Sequence, residues 1–307
     1  MTAIRTQLDR TFVHQGRTLA YDVFGEGEEV VVYLHGLLLD SEINRGIAAS
    51  LAERGKRVVL LDLLGHGRSD KPRHASEYRI DHYADQVVAL LDHLQVPSAV
   101  LGGVSLGANV SLFAATRVPE RVRGLVLEMP VLEWAVPAAA LFFAPQLLIA
   151  HYGKAVMSRL AALVARLPET PIGPLNSVIR SGALAPEVVA AVLHGILVGP
   201  VAPTVEQRRS IEAPALIVAH RHDLIHPFSD AENLAAQLPD ATLVRSWSSL
   251  ELRVMPARIT GEIAEFVDRA WAPPSKPAAR RTRPSRAKAP SSARASARPK
   301  PAAPATT

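Results

Sequence analysis

The chain of 307 residues contains no cysteine. Disulfide bonds and thiolate metal sites are therefore excluded, and a reducing compartment is a natural setting. Residues 1–9 carry charges and lack an apolar core, so they do not resemble a signal peptide. The longest uncharged stretch, 135–152, contains two prolines and is shorter than the ~20 apolar residues that span a bilayer. We therefore expect a cytoplasmic protein with no integral membrane segment.

Acidic residues are absent from 272–307, where nine lysines or arginines occur. Without these nine charges, the formal net charge of +5 becomes −4 for the remainder of the chain. The segment is almost entirely Ala, Pro, Ser, Thr, Arg and Lys, which cannot bury a core, so we expect a disordered basic tail. A solubilising appendage is the simpler interpretation. The alternative is weak, nonspecific attachment to nucleic acid or anionic lipid, without aromatic side chains for base stacking.

Apolar, strand-like segments alternate with helix-like segments through the rest of the chain. Candidate strands lie at 11–13, 17–24, 29–34, 57–61, 99–103, 124–127, 215–219 and 242–245. Candidate helices lie at 80–94, 230–238 and 257–271, and the first has apolar residues at helical spacing. This alternation predicts an α/β fold, with a mostly parallel central sheet flanked by helices.

The most informative motif is G-x-S-x-G at 103–107, between a candidate strand and a helix-like run. This context predicts a tight turn that holds Ser105 in a strained backbone conformation at the end of the strand. Glycines are needed on both sides because a Cβ there would clash where strand and helix pack closely. An ordinary serine in a glycine-rich turn is the simpler interpretation of the motif alone. Its context makes Ser105 the candidate nucleophile.

Four motifs in order and spacing resemble the α/β-hydrolase family: His35-Gly36, the loop 62–70, the motif 103–107 and the segment 223–227. The resemblance covers about residues 10–270, so we expect one hydrolase domain at 1–271, followed by the tail at 272–307. It also implies that the long segment 130–211 is a helical cap inserted after the sixth strand. This segment is rich in Ala, Leu, Val and Pro, which predicts an apolar ligand pocket.

The resemblance implies roles for individual residues. The backbone N–H groups of Leu37 and Leu106 would bind an oxyanion, and His35 would fix its loop. Asp223, which follows a candidate strand, would be the acid of a catalytic triad, although an Asp in a turn is also an ordinary turn former. Glu128, at the end of the preceding strand, is the alternative acid.

No histidine follows His226, although the family keeps its general base between the last strand and the last helix. Ser249 stands near that position, and a hydroxyl is not a general base near neutral pH. His226, three residues after Asp223, is the best substitute, with a loop-shaping role as the simpler interpretation. Weaker candidates are His220, His222, His194 and Glu251.

Two functions follow from these residues. The first is a serine esterase that acts on a small or medium apolar ester. The second is a catalytically weak or inactive hydrolase-fold protein that binds an apolar ligand, which the missing histidine favours. No cofactor or metal is implied, because the eleven histidines show no recognisable ligand spacing.

Overall fold

A computed structural model of the protein describes residues 4–248 and 250–272. Contacts group the described residues into one compact unit that ends at Ala272. Ser249 lies outside the described residues, and so do residues 273–307 of the predicted basic tail. The disorder and nonspecific binding predicted for this tail therefore concern residues that the structure does not describe.

Within the described residues, eight strands form one sheet. The strands are β1 (Thr6–His14), β2 (Arg17–Phe24), β3 (Val30–Leu34), β4 (Arg57–Leu61), β5 (Ala99–Val104), β6 (Val122–Glu128), β7 (Ala215–Ala219) and β8 (Ala241–Arg245). Their order in the sheet is β1-β2-β4-β3-β5-β6-β7-β8. The strands β1 and β2 are antiparallel, as are β2 and β4, and every other neighbouring pair is parallel. The predicted fold class, a mostly parallel sheet flanked by helices, is confirmed.

Helices follow most of the parallel strands and cover both faces of the sheet. They are α1 (Arg45–Ala52), α2 (Ile80–His93), α3 (Leu106–Arg117), α4 (Val136–Tyr152), α5 (Lys154–Val164), α6 (Gly173–Gly182), α7 (Pro186–Val198), α8 (Val205–Arg209), α9 (Phe228–Gln237), α10 (Glu251–Val254) and α11 (Ala257–Trp271). Short 3-10 turns at Ser41–Asn44, Ala75–Glu77 and Pro119–Arg121 complete the connections.

The strand β3 illustrates why these apolar runs form the centre of the sheet. Its residues are all buried, and they alternate between two hydrophobic clusters on opposite faces. Val32 and Leu34 belong to the cluster that includes α2 and α3, whereas Val31 and Tyr33 belong to the cluster that includes α1 and α11. A strand buried on both faces has no polar side, which explains its continuous apolar sequence.

The segment 130–211 lies between β6 and β7 and contains α4 to α8. α4 packs on α7, and α5 contacts both α7 and α6. In the part of the chain that the structure describes, no single helix is long and apolar enough to cross a membrane. Two bent pairs reach that length and hydropathy together: Val136–Tyr152 with Lys154–Val164, bent by 101°, and Gly173–Gly182 with Pro186–Val198, bent by 99°.

Candidate active site

Ser105 lies at a sharp turn between β5 and α3. Its backbone φ is 53° and its ψ is −109°, a conformation that non-glycine residues rarely adopt. A Cβ at Gly103 would lie 2.5 Å from the carbonyl oxygen of Leu34, and one at Gly107 would lie 2.6 Å from the same atom. Both flanking glycines are therefore required by the close approach of strand β3 to the turn.

Asp223 and His226 lie in the loop between β7 and α9. Asp223 Oδ1 accepts hydrogen bonds from the backbone N–H groups of Ile225, at 2.8 Å, and of His226, at 2.9 Å. His226 Nδ1 lies 3.0 Å from the same oxygen. One carboxylate oxygen therefore closes the turn and orients the imidazole ring.

The other ring nitrogen of His226 contacts the serine. His226 Nε2 lies 2.8 Å from Ser105 Oγ, although the two residues are 121 positions apart in sequence. Because Asp223 is an acceptor, the partners assign the ring proton to Nδ1, which leaves Nε2 to accept the serine hydroxyl proton. The chain of contacts Ser105–His226–Asp223 is therefore continuous.

The charge of Asp223 suits this arrangement. Burial by itself would raise its pKa, but the hydrogen bonds from His226 Nδ1 and from the two backbone N–H groups outweigh burial. The pKa of Asp223 consequently lies well below its ordinary value, so the carboxylate is ionised throughout the neutral range.

The loop after β3 is fixed by a buried histidine. His35 Nδ1 lies 2.8 Å from the carbonyl oxygen of Gly36, and Nε2 accepts the backbone N–H of Leu63 at 3.0 Å. Burial lowers the pKa of His35, which keeps the ring neutral as this pair of bonds requires. Among the described residues, the N–H groups of Leu37 and Leu106 donate to no other group. Both residues line the cavity that contains Ser105.

One cavity beside Ser105 has a volume of about 140 Å³, and another, of about 220 Å³, is lined by both Ser105 and His226. The walls of the 140 Å³ cavity are apolar, with Ser105 and Asn109 as the polar residues in the lining, and α4 and α7 contribute nearly half of the lining residues. Val136, Ala140 and Phe143 contribute from α4, and Leu193, Ile196 and Leu197 contribute from α7. The site is therefore a serine at the floor of an apolar pocket.

Two side chains that the sequence analysis missed hold the helical segment over this pocket. Asn109 Nδ2 donates to the carbonyl oxygens of Val131 and Val201, each at 2.6 Å, and thereby joins the two ends of the segment. The buried Asp230 accepts the backbone N–H groups of Leu132 and Trp134, at 2.7 and 3.2 Å, just before α4. Asn and Asp near helix termini are common, so the sequence offered no signal that distinguished these two.

The alternative acid, Glu128, lies at the end of β6 and makes other contacts. Its carboxylate pairs with Arg253 and accepts a hydrogen bond from the Tyr33 hydroxyl at 3.1 Å. No hydrogen bond joins it to His226 among the described residues. Glu251 is likewise committed, because it accepts hydrogen bonds from Arg258 and from the backbone N–H of Trp247.

The remaining base candidates lie away from the serine hydroxyl. His220 is buried with Nε2 3.7 Å from Asp223 Oδ2, whereas His222 and His194 are exposed. Ser249 lies outside the described residues. No group of three or more Asp, Glu, His or Cys side chains positioned to hold a metal ion occurs in 4–248 or 250–272.

A parallel sheet that presents a serine at a strand–helix turn, beneath an inserted helical segment, defines an α/β protein of hydrolase architecture. The family model described as the alpha/beta hydrolase fold matches residues 29–246. The chain belongs to the alpha/beta hydrolase fold family.

Known proteins resemble the chain to different extents. The dihydrolipoyllysine-residue acetyltransferase component of the acetoin cleaving system of Pseudomonas putida is 40% identical over 116 residues, which are 36% of this chain and 30% of that protein. The alignments thus span only about a third of the first curated relatives. 3-Oxoadipate enol-lactonase 2 of Acinetobacter baylyi is 27% identical over 61% of this chain and 68% of its own length. The crystal structure of the enol-lactonase from Burkholderia xenovorans has a TM-score of 0.69, 22% identity, and covers 84% of this chain and all of its own, which shows a shared fold.

Proposed function

We propose that the protein is a serine hydrolase that cleaves carboxylic esters with an apolar acyl or alkyl group. Ser105 is the nucleophile, His226 the general base and Asp223 the residue that orients the base. The observation that carries this proposal is the position of the His226 ring, 2.8 Å from Ser105 Oγ and 3.0 Å from Asp223 Oδ1. These distances suit proton transfer from the serine and ring orientation by the carboxylate.

The reaction follows from these contacts. Ser105 Oγ forms a bond to the ester carbonyl carbon while its proton moves to His226 Nε2, and the carbonyl electron pair moves onto oxygen. The Leu37 and Leu106 N–H groups hold this oxyanion, each contributing about 3 kcal/mol to the transition state. The ester C–O bond then breaks, and the proton on Nε2 passes to the departing alkoxide. Water then bonds to the acyl carbon while its proton moves to His226 Nε2. The bond between the acyl carbon and Ser105 Oγ breaks, and the proton on Nε2 passes to Oγ, which releases the acid and restores the serine.

The position of the base supports activity in spite of the missing histidine near the C-terminal helix. Acid and base share one turn, in which Asp223 Oδ1 accepts two backbone N–H groups and faces His226 Nδ1. The ring is therefore held before substrate binds, as a catalytic base requires. A base on the Asp223 turn accounts for the histidine that is missing near the last helix, and no separate observation supports an inactive ligand-binding protein.

The pocket indicates the substrate class. Apolar side chains from α4 and α7 surround the serine, which favours acyl or alkyl groups over sugars and phosphates. The two enol-lactonases among the similar proteins also make a cyclic ester a reasonable substrate to test.

The test compares the wild-type protein with Ser105→Ala and His226→Ala. The measurements are fluorophosphonate labelling of Ser105, located by peptide mass, and hydrolysis of p-nitrophenyl esters of increasing acyl length. Both variants should lose a factor on the order of 10⁶ in kcat, because nucleophile and base act as one unit. His222→Ala is the matched control, since this exposed histidine lies in the same loop, and it should label and turn over normally.

Each result bears on a different part of the proposal. Normal turnover by His226→Ala would remove this residue as the base. A folded wild-type protein whose Ser105 is not labelled would contradict the proposed hydrolase.

A further inference from the structure

Helix α4 is apolar on its outer face as well as on the face toward the pocket. Leu141, Leu148 and Tyr152 are spaced by seven and four residues, so they lie on one side of the helix. Their exposed fractions are 79%, 54% and 81%. Phe143, which lies about 160° around the helix from Leu141, lines the cavity beside Ser105 on the opposite side. An apolar outer face on a helix requires a covering environment, because it is unfavourable in water.

Helix α5, which follows α4 after Gly153, also carries an exposed apolar stripe. Val156, Leu160 and Leu163 are all exposed and are spaced by four and three residues, which places them in one stripe. The exposed Arg159 lies, at 100° per residue, about 70° around the helix from that stripe, and the exposed Arg166 stands two residues after the end of the helix. An apolar stripe with a cation at its side is the pattern of a helix that lies in a lipid interface.

The charge of the whole segment has one sign. Between 134 and 168, the chain holds Lys154, Arg159 and Arg166 and no acidic residue. The exposed Trp134 and Tyr152 lie near the two ends of α4, where rings that are both apolar and polar suit the boundary between lipid and water. The surface is thus complementary to an anionic, apolar phase.

We infer that the outer faces of α4 and α5 form a docking site for an anionic lipid surface. Docking brings the outer side of α4 to the lipid while its inner side lines the pocket with Ser105. An apolar ester dissolved in the membrane therefore has a short route to the serine. This route rests on the proposed hydrolase function, whereas lipid binding itself does not.

The geometry favours a helix pair that lies on the membrane over one that spans it. α4 and α5 meet at Gly153 with a bend of 101°. A spanning pair with this bend would bury Arg159 and the backbone groups near Gly153 in hydrocarbon. Lying flat, both helices place their apolar stripes in the acyl region and their cations among the lipid headgroups.

The test is co-sedimentation of the full chain with vesicles, which needs no enzymatic activity. Equimolar phosphatidylglycerol and phosphatidylcholine vesicles should bind the wild-type protein, and pure phosphatidylcholine vesicles should bind it more weakly. Leu148→Asp and, separately, Leu160→Asp should lower the partition coefficient for the anionic vesicles about tenfold or more. Val13→Asp is the matched control, because Val13 is 71% exposed in β1 and the charge change is identical. Circular dichroism and thermal melting establish that each variant is folded.

The outcomes distinguish lipid docking on α4 and α5 from binding through the basic segment and from association with a second copy of the chain. Loss of binding in both cap variants, but not in Val13→Asp, supports the docking site. Equal binding by the wild-type protein and all three variants would assign vesicle binding to the basic tail 272–307 and overturn the inference. The wild-type protein could instead form a dimer in solution that Leu148→Asp dissociates and that does not bind vesicles. This result would assign the apolar face to contact with a second copy of the chain and overturn the inference. Because sedimentation and ester hydrolysis are measured separately, failure of the docking site leaves the proposed enzyme standing, and the reverse also holds.

Discussion

The buried ion pair between Glu128 and Arg253 allows the alternative catalytic acid to be tested through stability. The two side chains are only 3% and 4% exposed. Glu128 also accepts the Tyr33 hydroxyl, and Arg253 donates to Asn44 Oδ1 at 3.0 Å. Burial opposes the charge of Arg253, but the attraction of Glu128 outweighs it and raises the arginine pKa. Each buried charge is therefore stabilised by the opposite charge of its partner.

The perturbation is Glu128→Gln, which keeps the shape of the side chain and removes its charge. Arg253 is then left buried without a counter-charge, and removing one partner of such a pair costs about 3 to 5 kcal/mol. For a domain of this size, the corresponding fall in Tm is about 6 to 20 °C. Glu128→Leu combined with Arg253→Met removes both charges and should recover most of the loss, because the desolvation cost also disappears.

The assay measures urea unfolding for the wild-type protein, Glu128→Gln and the double variant, together with kcat per site labelled by fluorophosphonate. We expect kcat of folded Glu128→Gln to change less than about tenfold, since the carboxylate contacts Arg253 and Tyr33 and not His226. A fall in kcat of about 10⁴ with unchanged stability would make Glu128 the acid and refute this reasoning. A loss of stability below about 1 kcal/mol would refute the argument from burial.

Two further predictions concern acid stability and acyl-chain selectivity. Burial lowers the pKa of His66 to about 3. In the unfolded chain the imidazole of His66 takes up a proton near pH 6.5, whereas in the folded protein it does not. The free energy of unfolding should therefore be unaffected by this group above that pH and should decrease by about 2 kcal/mol by pH 5. Urea unfolding at pH 8 and pH 5 measures this decrease; it should be smaller in His66→Gln, and an equal decrease in both proteins would contradict the assignment. Ala140→Phe, which fills the cavity beside Ser105, should lower kcat/KM for long-chain esters about 10- to 200-fold relative to acetate, whereas the outward-facing Leu141→Phe should not. Equal selectivity in both variants would show that acyl groups bind elsewhere.

The spacing of apolar residues along the sequence predicted the helices and strands that bury side chains at regular intervals. Helix α11 begins and ends as its sequence indicates, because Ile259, Ile263 and Phe266 form a buried stripe. Strand β1 is different: only 11–13 is predicted, yet the strand begins at Thr6. Residues 6–11 are all exposed and show no apolar alternation, so their strand conformation depends on pairing with β2. That pairing cannot be read from the local sequence.

In the candidate site, too, some residues could be predicted from the local sequence and others could not. Asp223 and His226 are three residues apart, so the sequence alone made them a candidate pair. The contact between His226 and Ser105 depends on the order of β5, β6 and β7 in the sheet. Asn109 and Asp230 were missed because their partners lie far along the chain, and nothing local distinguishes a side chain that makes such bonds.

In the proposed mechanism, the base and its acid are three residues apart on one turn, which reduces the number of loops that the fold must position against Ser105. The Ser105 N–H donates to the carbonyl oxygen of Glu128 at 2.8 Å, and the Met129 N–H donates to Val218 at 2.7 Å. These two bonds connect the serine turn, across β6, to the strand that ends at the histidine loop. One turn then supplies both Asp223 and His226, so no second loop has to be ordered against the serine. The proposed mechanism therefore needs no base in the connection between β8 and α11, where Glu251 pairs with Arg258 and Arg253 pairs with Glu128. An added histidine in that connection would therefore compete with a base already in contact with the serine, and we see no physical requirement for one.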